Sequence, residues 1–508
     1  MKLSLKHFVA IVIIATLAVS CVILASCSLF DKSIHISTFE DLQQAHGGKL
    51  VLDNDIDGNY ASINPIVANR LDGNGHTISN FVVSTTTTGG IFTTNSCLLA
   101  SVKNVTFENV TVNTTSAYRV GLIVEYAQSD LVIENVHVKD CKIVAEQGSK
   151  SDDLFVGGLV GSCNGNPKNS PVNESQSYSN LEVYRNKFDI INCSVDGLDV
   201  KVTGKSNASK DIYFGGIASV VTRDVTGCAV SNCNFTVESQ SPSNELYIGG
   251  IASYVCTTGS IEGCYVENTT FNANAKWYNE GTFGYRITSK VTLGGLFAKS
   301  EGVISGQKGS SVKACYSANN TLNVSSTGAY CVGGISGRSN SAISHCYSSN
   351  NTIACKGRLK ADNERAMRYA GGVTGYAVGA TSYLSCYAYG NIISDADGVS
   401  LQSKECRQGG FLGGAESTVM TNYCAVGNTK FEASGAKKDG FCNSSIKATT
   451  STCYVSQETF SYDVNSTNVC TYVDEEVLFD FSTIGTTLNL TDSRWVKSAD
   501  KLPYLQLN

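Results

Sequence analysis

The sequence predicts an all-β chain wound as a right-handed parallel β-helix, a solenoid opened by a short N-terminal capping helix. Three observations predict it. First, two glycines and an apolar pair recur along most of the chain, as Gly157-Gly158-Leu159-Val160, Gly215-Gly216-Ile217-Ala218, Gly249-Gly250-Ile251-Ala252, Gly294-Gly295-Leu296-Phe297, Gly333-Gly334-Ile335-Ser336 and Gly371-Gly372-Val373-Thr374. Second, a short segment reaching a cysteine follows each copy, as in Ile190-Ile191-Asn192-Cys193, Ile261-Glu262-Gly263-Cys264-Tyr265 and Ile343-Ser344-His345-Cys346-Tyr347. Third, 48 Gly against 5 Pro in 508 residues, with abundant Thr, Asn, Ser and Val, suits ladders of short strands, and helical periodicity is nearly absent.

Neighbouring copies lie roughly 30 to 60 residues apart, the spacing of one stacked unit plus a variable loop. Weaker copies sit at Gly89, Gly121 and Gly409. A strand of four or five residues cannot bury its apolar side alone. Stacked about 4.8 Å apart, such strands pair their backbones and close a common core. The paired glycines fit a corner where a side chain would collide and where glycine accepts unusual backbone angles.

Taken in chain order, residues 1–26 read as a secretory signal: Lys2, Lys6 and His7 precede an apolar run from Phe8 to Ala25. It ends in Leu24-Ala25-Ser26-Cys27, which resembles a bacterial lipobox and makes Cys27 the lipidation site. Ala18-Val19-Ser20-Cys21 is a poorer candidate, and an uncleaved membrane anchor is the competing reading. Residues 27–33 form a tether. Residues 34–58 form an N-terminal cap, in which Ser37 stands three residues before Glu40 and starts a helix running to about Ala45. Residues 59–470 form the β-helix and 471–508 a C-terminal cap, with Trp495 and Pro503-Tyr504 shielding the last coil.

The formal charge of −6 becomes −8 once Lys2 and Lys6 are removed, which gives no support for a nucleic-acid partner. Of 20 cysteines, Cys193, Cys228, Cys264, Cys315, Cys346, Cys386, Cys424 and Cys453 share one register, so they are expected to stack inside as small apolar thiols. Disulfides between adjacent coils remain open on geometry. There is no CxxC pair and no Cys/His cluster, so no metal site or cofactor is expected.

The glycine phrase with its Cys-Tyr strand resembles the GLUG repeat of bacterial surface proteins, which also accompanies the protease module of some IgA-specific metallopeptidases. The opening Ile36-Ser37-Thr38-Phe39-Glu40-Asp41-Leu42, the Leu71-Asp72-Gly73-Asn74-Gly75 segment and the closing Trp495 with Leu502-Pro503-Tyr504-Leu505 extend the likeness over about residues 34 to 508. It implies a β-helix and a place at the cell surface. It does not imply peptidase activity, because none of the six histidines forms the HExxH helix such enzymes need.

Other chemistry is weakly signalled. Asp53-Asn54-Asp55-Ile56-Asp57-Gly58 imitates a calcium loop, but the twelfth position is Asn64 and the segment alternates like a strand. Asp189, Asp196 and Asp199 are the nearest approach to a catalytic carboxylate group and read as solvated strand positions. Asn-x-Ser/Thr triplets such as those at Asn104, Asn109 and Asn268 are taken as compositional.

Two insertions remain. Trp277, Tyr278, Phe283, Tyr285 and Arg286 make a candidate ligand-binding loop for a sugar or a protein partner, with a fold-down over the core as the alternative. Lys356, Arg358, Lys360, Arg365 and Arg368 suggest a basic patch or a solvated helix. The expected function is adhesion or ligand binding by a protein anchored in the membrane through Cys27, partnered by a host or cell-surface protein or glycan, without catalysis. The runner-up is a polysaccharide-binding or polysaccharide-degrading β-helix.

Overall fold

The computed structural model describes residues 33–94, 99–127, 130–148, 153–163, 188–205, 210–241, 244–275, 290–302, 309–326, 329–356, 368–379, 381–395, 406–416, 418–432, 437–442, 452–456, 470–479, 495–496 and 504–506. Within them the chain is a parallel β-solenoid. One coil shows the plan: Asp224–Thr226, Ala229–Ser231 and Asn234–Ser239 lie in a broad sheet, Glu245–Gly249 in a second and Ala252–Val255 in a third, before Ser260–Glu262 re-enters the broad sheet. Among the described residues the coils pair in parallel, and the one antiparallel pair is Trp495–Val496 with Tyr504–Leu505 near the C-terminus. Contacts between adjacent coils span 36 residues in this region and 57 where the insertion after Cys163 intervenes.

The period-2 pattern of each strand sends alternate residues inward. Ile143, Val200, Phe235, Phe271, Leu322, Ile353 and Ile393 stand in register, coil upon coil, and are fully buried. Each such side chain contributes about 1.5–3 kcal/mol relative to exposure. No coil could bury its own side alone, so stability comes from the stack.

The broad sheet bends twice per coil, and each bend is a column of left-handed residues. The first runs Asn192, Gly227, Gly263, Ala314, His345 and Ser385; the second Asp140, Gly197, Asn232, Asn268, Asn319, Asn350, Gly390 and Asn428, all with positive φ. Asn and Gly predominate because they tolerate this conformation best. Asn104, Asn109 and Asn268 of the Asn-x-Ser/Thr triplets are such turn residues.

The cysteine register follows the first bend. Cys228, Cys264, Cys315, Cys346 and Cys386 are fully buried and more than apolar filler. The bend interrupts the backbone ladder, and thiols repair it: Cys228 N–H donates to Cys264 Sγ at 3.3 Å and Cys264 N–H to Cys315 Sγ at 3.4 Å. Each thiol lies near the carbonyl two residues back, as Cys315 does to Lys313 at 3.1 Å. After the second bend, asparagines do the same. Thr269 N–H donates to Asn320 Oδ1 at 2.8 Å, Asn320 N–H to Asn351 Oδ1 at 2.9 Å and Asn351 N–H to Asn391 Oδ1 at 3.0 Å. Among the described residues no cysteine is joined to another in a disulfide.

The glycine pairs join the second sheet to the third. Gly121, Gly157, Gly215, Gly249, Gly294, Gly333, Gly371 and Gly409 form one unbroken register column. None of them has a positive φ, so conformational freedom is not why glycine is required there. Crowding is the reason: a Cβ on Gly215 would strike the Ala218 carbonyl of its own turn, and one on Gly216 the Gly250 carbonyl of the next coil.

The N-terminal helix is Phe39–Gln44, with Leu42 buried and Phe39 against Phe81 at 5.7 Å. Its capping box is Thr38 with Asp41, rather than Ser37 with Glu40. Asp41 N–H donates to Thr38 Oγ1 at 3.1 Å, and Asp41 Oδ2 accepts from Thr38 N at 2.8 Å and Ser37 N at 3.1 Å. Of the expected end shield, Pro503 and the Trp495 side chain lie outside the described residues. Leu478 of the helix Glu475–Phe479 and Leu505 pack on the outer flank with Tyr347, Tyr387 and Ala425.

Candidate binding surface

Trp277, Tyr278, Phe283, Tyr285 and Arg286 lie outside the described residues, as does Cys27. Their loop leaves the broad sheet at Ala275 and returns at Lys290, where the second sheet begins. The connections that leave after Lys356 and Asp395 and return at Arg368 and Cys406 bridge the same corner. Among the described residues, no helix is long and apolar enough to cross a membrane.

From that corner a seam of aromatic and cationic side chains runs over the second and third sheets. The second sheet supplies the column Arg119, Phe155, Tyr213, Tyr247, Thr292, Cys331, Tyr369 and Arg407. Phe155 stacks on Tyr213 at 5.0 Å and Tyr213 on Tyr247 at 4.9 Å. The third sheet supplies Val220, Tyr254, Lys299, Arg338, Tyr376 and Gly414. The columns meet through Lys299, whose Nζ is 5.5 Å from the Tyr247 ring and 5.4 Å from the Tyr254 ring, and through Tyr369 and Tyr376, stacked at 4.5 Å. Arg119 lies 4.0 Å over the Tyr126 ring.

The charges along this seam are arranged tightly. Burial, and then Arg338 beside it, push the Lys299 ammonium below its ordinary range. Burial alone would raise the Glu245 carboxyl, but the Tyr247 hydroxyl and Lys290 hold it below its usual value. Lys290 Nζ reaches Glu245 Oε1 at 2.9 Å. Glu301 accepts from Tyr254 Oη at 2.7 Å, Thr257 N at 3.1 Å and Thr257 Oγ1 at 3.0 Å. The motif search of the sequence missed Lys299 and Arg338. Each is the fifth residue after the first glycine of its phrase, so aligning the phrases column by column would have exposed them.

The other sequence candidates hold coils together. Asp53 bonds His35 Nδ1 at 2.7 Å and accepts from Ser37 Oγ at 3.1 Å, Asp55 accepts from Thr77 N at 2.9 Å, and Asp57 accepts from Asn59 N at 2.8 Å and Asn80 Nδ2 at 3.1 Å. These carboxylates therefore serve separate partners. Asp196 accepts from Ser231 Oγ and Asn232 Nδ2, each at 2.7 Å, while Asp199 pairs with Lys142 at 2.9 Å. Among the described residues no group of three or more His, Cys, Asp or Glu could hold a metal ion. Arg368 must be removed from the basic patch: it is fully buried, in register with Tyr330 of the preceding coil, and its guanidinium lies 5.7 Å from that ring.

A second aromatic row lies on the broad sheet. Tyr265, Tyr316, Tyr347 and Tyr387 stack at 5.0, 4.9 and 5.0 Å with planes within 5°. Stacking covers their faces, and the tail covers Tyr347 and Tyr387. Only Tyr265 and Tyr316 are left half-exposed.

No family model and no curated protein matches this chain. Among solved structures it is similar to a "putative immunoglobulin A1 protease" from Bacteroides ovatus, at 15% identity over 94% of this chain and 93% of that one. The TM-score is 0.27, so that likeness carries no inference about activity.

Proposed function

We propose that the protein is a lipid-anchored cell-surface β-solenoid that binds an extracellular ligand at one corner and performs no catalysis. The observation that carries this reading is that three long connections, after Ala275, Lys356 and Asp395, share the corner between the broad and second sheets beside an aromatic and cationic seam, whereas the one after Cys163 leaves from the third sheet. Insertions collected on one side of a solenoid commonly form its binding surface. The signal-like residues 1–26 and Cys27 support the anchor, since several acyl chains together hold a protein stably on a membrane. Right-handed winding is supported by the strong preference of parallel crossovers for that hand. The glycine and Cys-Tyr columns support a place in the GLUG-repeat group, and the helix Phe39–Gln44 would shield the first coil.

The test has two arms. Cys27→Ser is expected to abolish incorporation of labelled palmitate and release the protein from the membrane fraction. Replacing Trp277, Tyr278, Phe283, Tyr285 and Arg286 together by Ala is expected to remove binding to host cells or glycan arrays while leaving the melting curve unchanged. Turnover of an acidic polysaccharide, with or without calcium, would instead favour the degrading enzyme.

A further inference from the structure

Several charges on this solenoid are matched between coils. Surface lysines face carboxylates in neighbouring coils: Lys103 meets Glu134 at 2.6 Å, Lys139 meets Glu108 at 3.0 Å, Lys142 meets Asp199 at 2.9 Å, Lys290 meets Glu245 at 2.9 Å and Lys313 meets Glu262 at 3.3 Å. Lys299 and Arg338 are placed the opposite way. They are directly in register on adjacent parallel strands, Phe297–Ser300 and Ser336–Ser339, and carry the same sign. Like charges so placed repel, and neither cation makes an ion pair among the described residues.

The carboxylates whose charge acts on Lys299 are Glu245, Glu301 and Asp211. Each is committed elsewhere: Glu245 to Lys290 and Tyr247, Glu301 to Tyr254 and Thr257, and Asp211 to the Glu245 backbone N–H at 3.0 Å. Lys299 is half-buried against the rings of Tyr247 and Tyr254, and Arg338 is exposed beside it. Tyr376 is next in the column.

We propose that Lys299 and Arg338 form an anion site for a carboxylate or sulfate group of an acidic polysaccharide, with Tyr376 lying against the sugar. A polysaccharide fits because the column is linear, repeats at coil spacing and sets the adjacent Lys299 and Arg338 between Tyr254 and Tyr376. An arginine gives such an anion paired donors, and the half-buried lysine strengthens the attraction. This rests on the reading of the protein as a surface binder.

The experiment is calorimetric titration of the detergent-solubilised full chain with a heparin hexasaccharide, an oligogalacturonate hexamer and a neutral galactan hexamer. Either acidic probe is expected to bind, weakening with salt, and the one that binds distinguishes sulfate from carboxylate. Lys299→Gln and Arg338→Gln should each weaken binding about tenfold, whereas Lys313→Gln should not. Without ligand, Arg338→Gln should melt no lower than the natural chain, because repulsion is relieved. A clear fall in its melting temperature would show that Arg338 is bonded within the chain and would overturn the proposal. So would binding unaffected by both variants, or attachment only to phosphatidylglycerol vesicles. Loss of ligand on replacing the 276–289 loop, with both charge variants binding normally, would preserve the surface-binder reading and sink only this site.

Discussion

At the residue scale, two positions show how little freedom the coil leaves. A Cβ on Gly334 would overlap the Gly372 carbonyl of the next coil and the Ser348 hydroxyl, so Gly334→Val should cost about 3 kcal/mol and Gly334→Ala somewhat less. Unchanged thermal melting of either variant would refute the steric account. Cys264 is a hydrogen-bond partner as well as packing, accepting from the Cys228 N–H. Cys264→Ala therefore strands a buried donor and should destabilise by about 1–3 kcal/mol, while Cys264→Thr, copying Thr269 after the other bend, should retain more stability. Equal losses in denaturant unfolding would return the thiol to the role of filler. The sequence showed which glycines and cysteines share a register and anticipated the collision at the glycines, but not the hydrogen bonds made by the thiols. Those bonds are contacts to backbone atoms of the adjacent coil, which no spacing within one coil displays.

At the element scale, the glycine column ends at Asp439, the register partner of Gly409. Its Oδ1 accepts from Phe441 N at 3.0 Å and Cys442 N at 3.2 Å, and burial pushes its carboxyl up to about 6. The folded form therefore holds its proton more tightly than the unfolded chain, whose carboxyl titrates near ~3.9. This contribution to stability is full below that lower value and lost as pH rises through about 6. Hydrogen exchange of residues 437–442 should accordingly show weaker protection at pH 7 than at pH 5, and Asp439→Asn should flatten that difference. An identical pH response in both proteins would remove Asp439 as the cause. The strands themselves were readable from their alternating apolar residues. The first bend was not, because Ala314, His345 and Ser385 adopt the turn conformation without the composition that announces it. The flank-packed tail was hidden as well: Leu505 meets Tyr347 and Tyr387 across a great sequence distance, and local pattern carries no trace of that.

At the scale of the whole molecule, repetition makes the architecture legible and the site obscure. Recurrence of the glycine phrase announces a stack, since many weak copies reinforce one another. A binding surface is built instead from departures, such as Lys299 and Arg338 where other coils carry Val220, Tyr254 or Tyr376. Register has one more outcome. Asp224 pairs with Ser260, Val225 with Ile261 and Thr226 with Glu262, so excising residues 224–259 would splice Arg223 to Ser260 and restore every column at the seam. Such a shortened chain should fold with far-UV circular dichroism of unchanged shape, whereas removing 224–241 should not. Length in this protein is then a quantity adjustable in whole turns, like a stack of coins, and a duplicated turn would lift whatever lies beyond it by about 4.8 Å without redesigning a single contact.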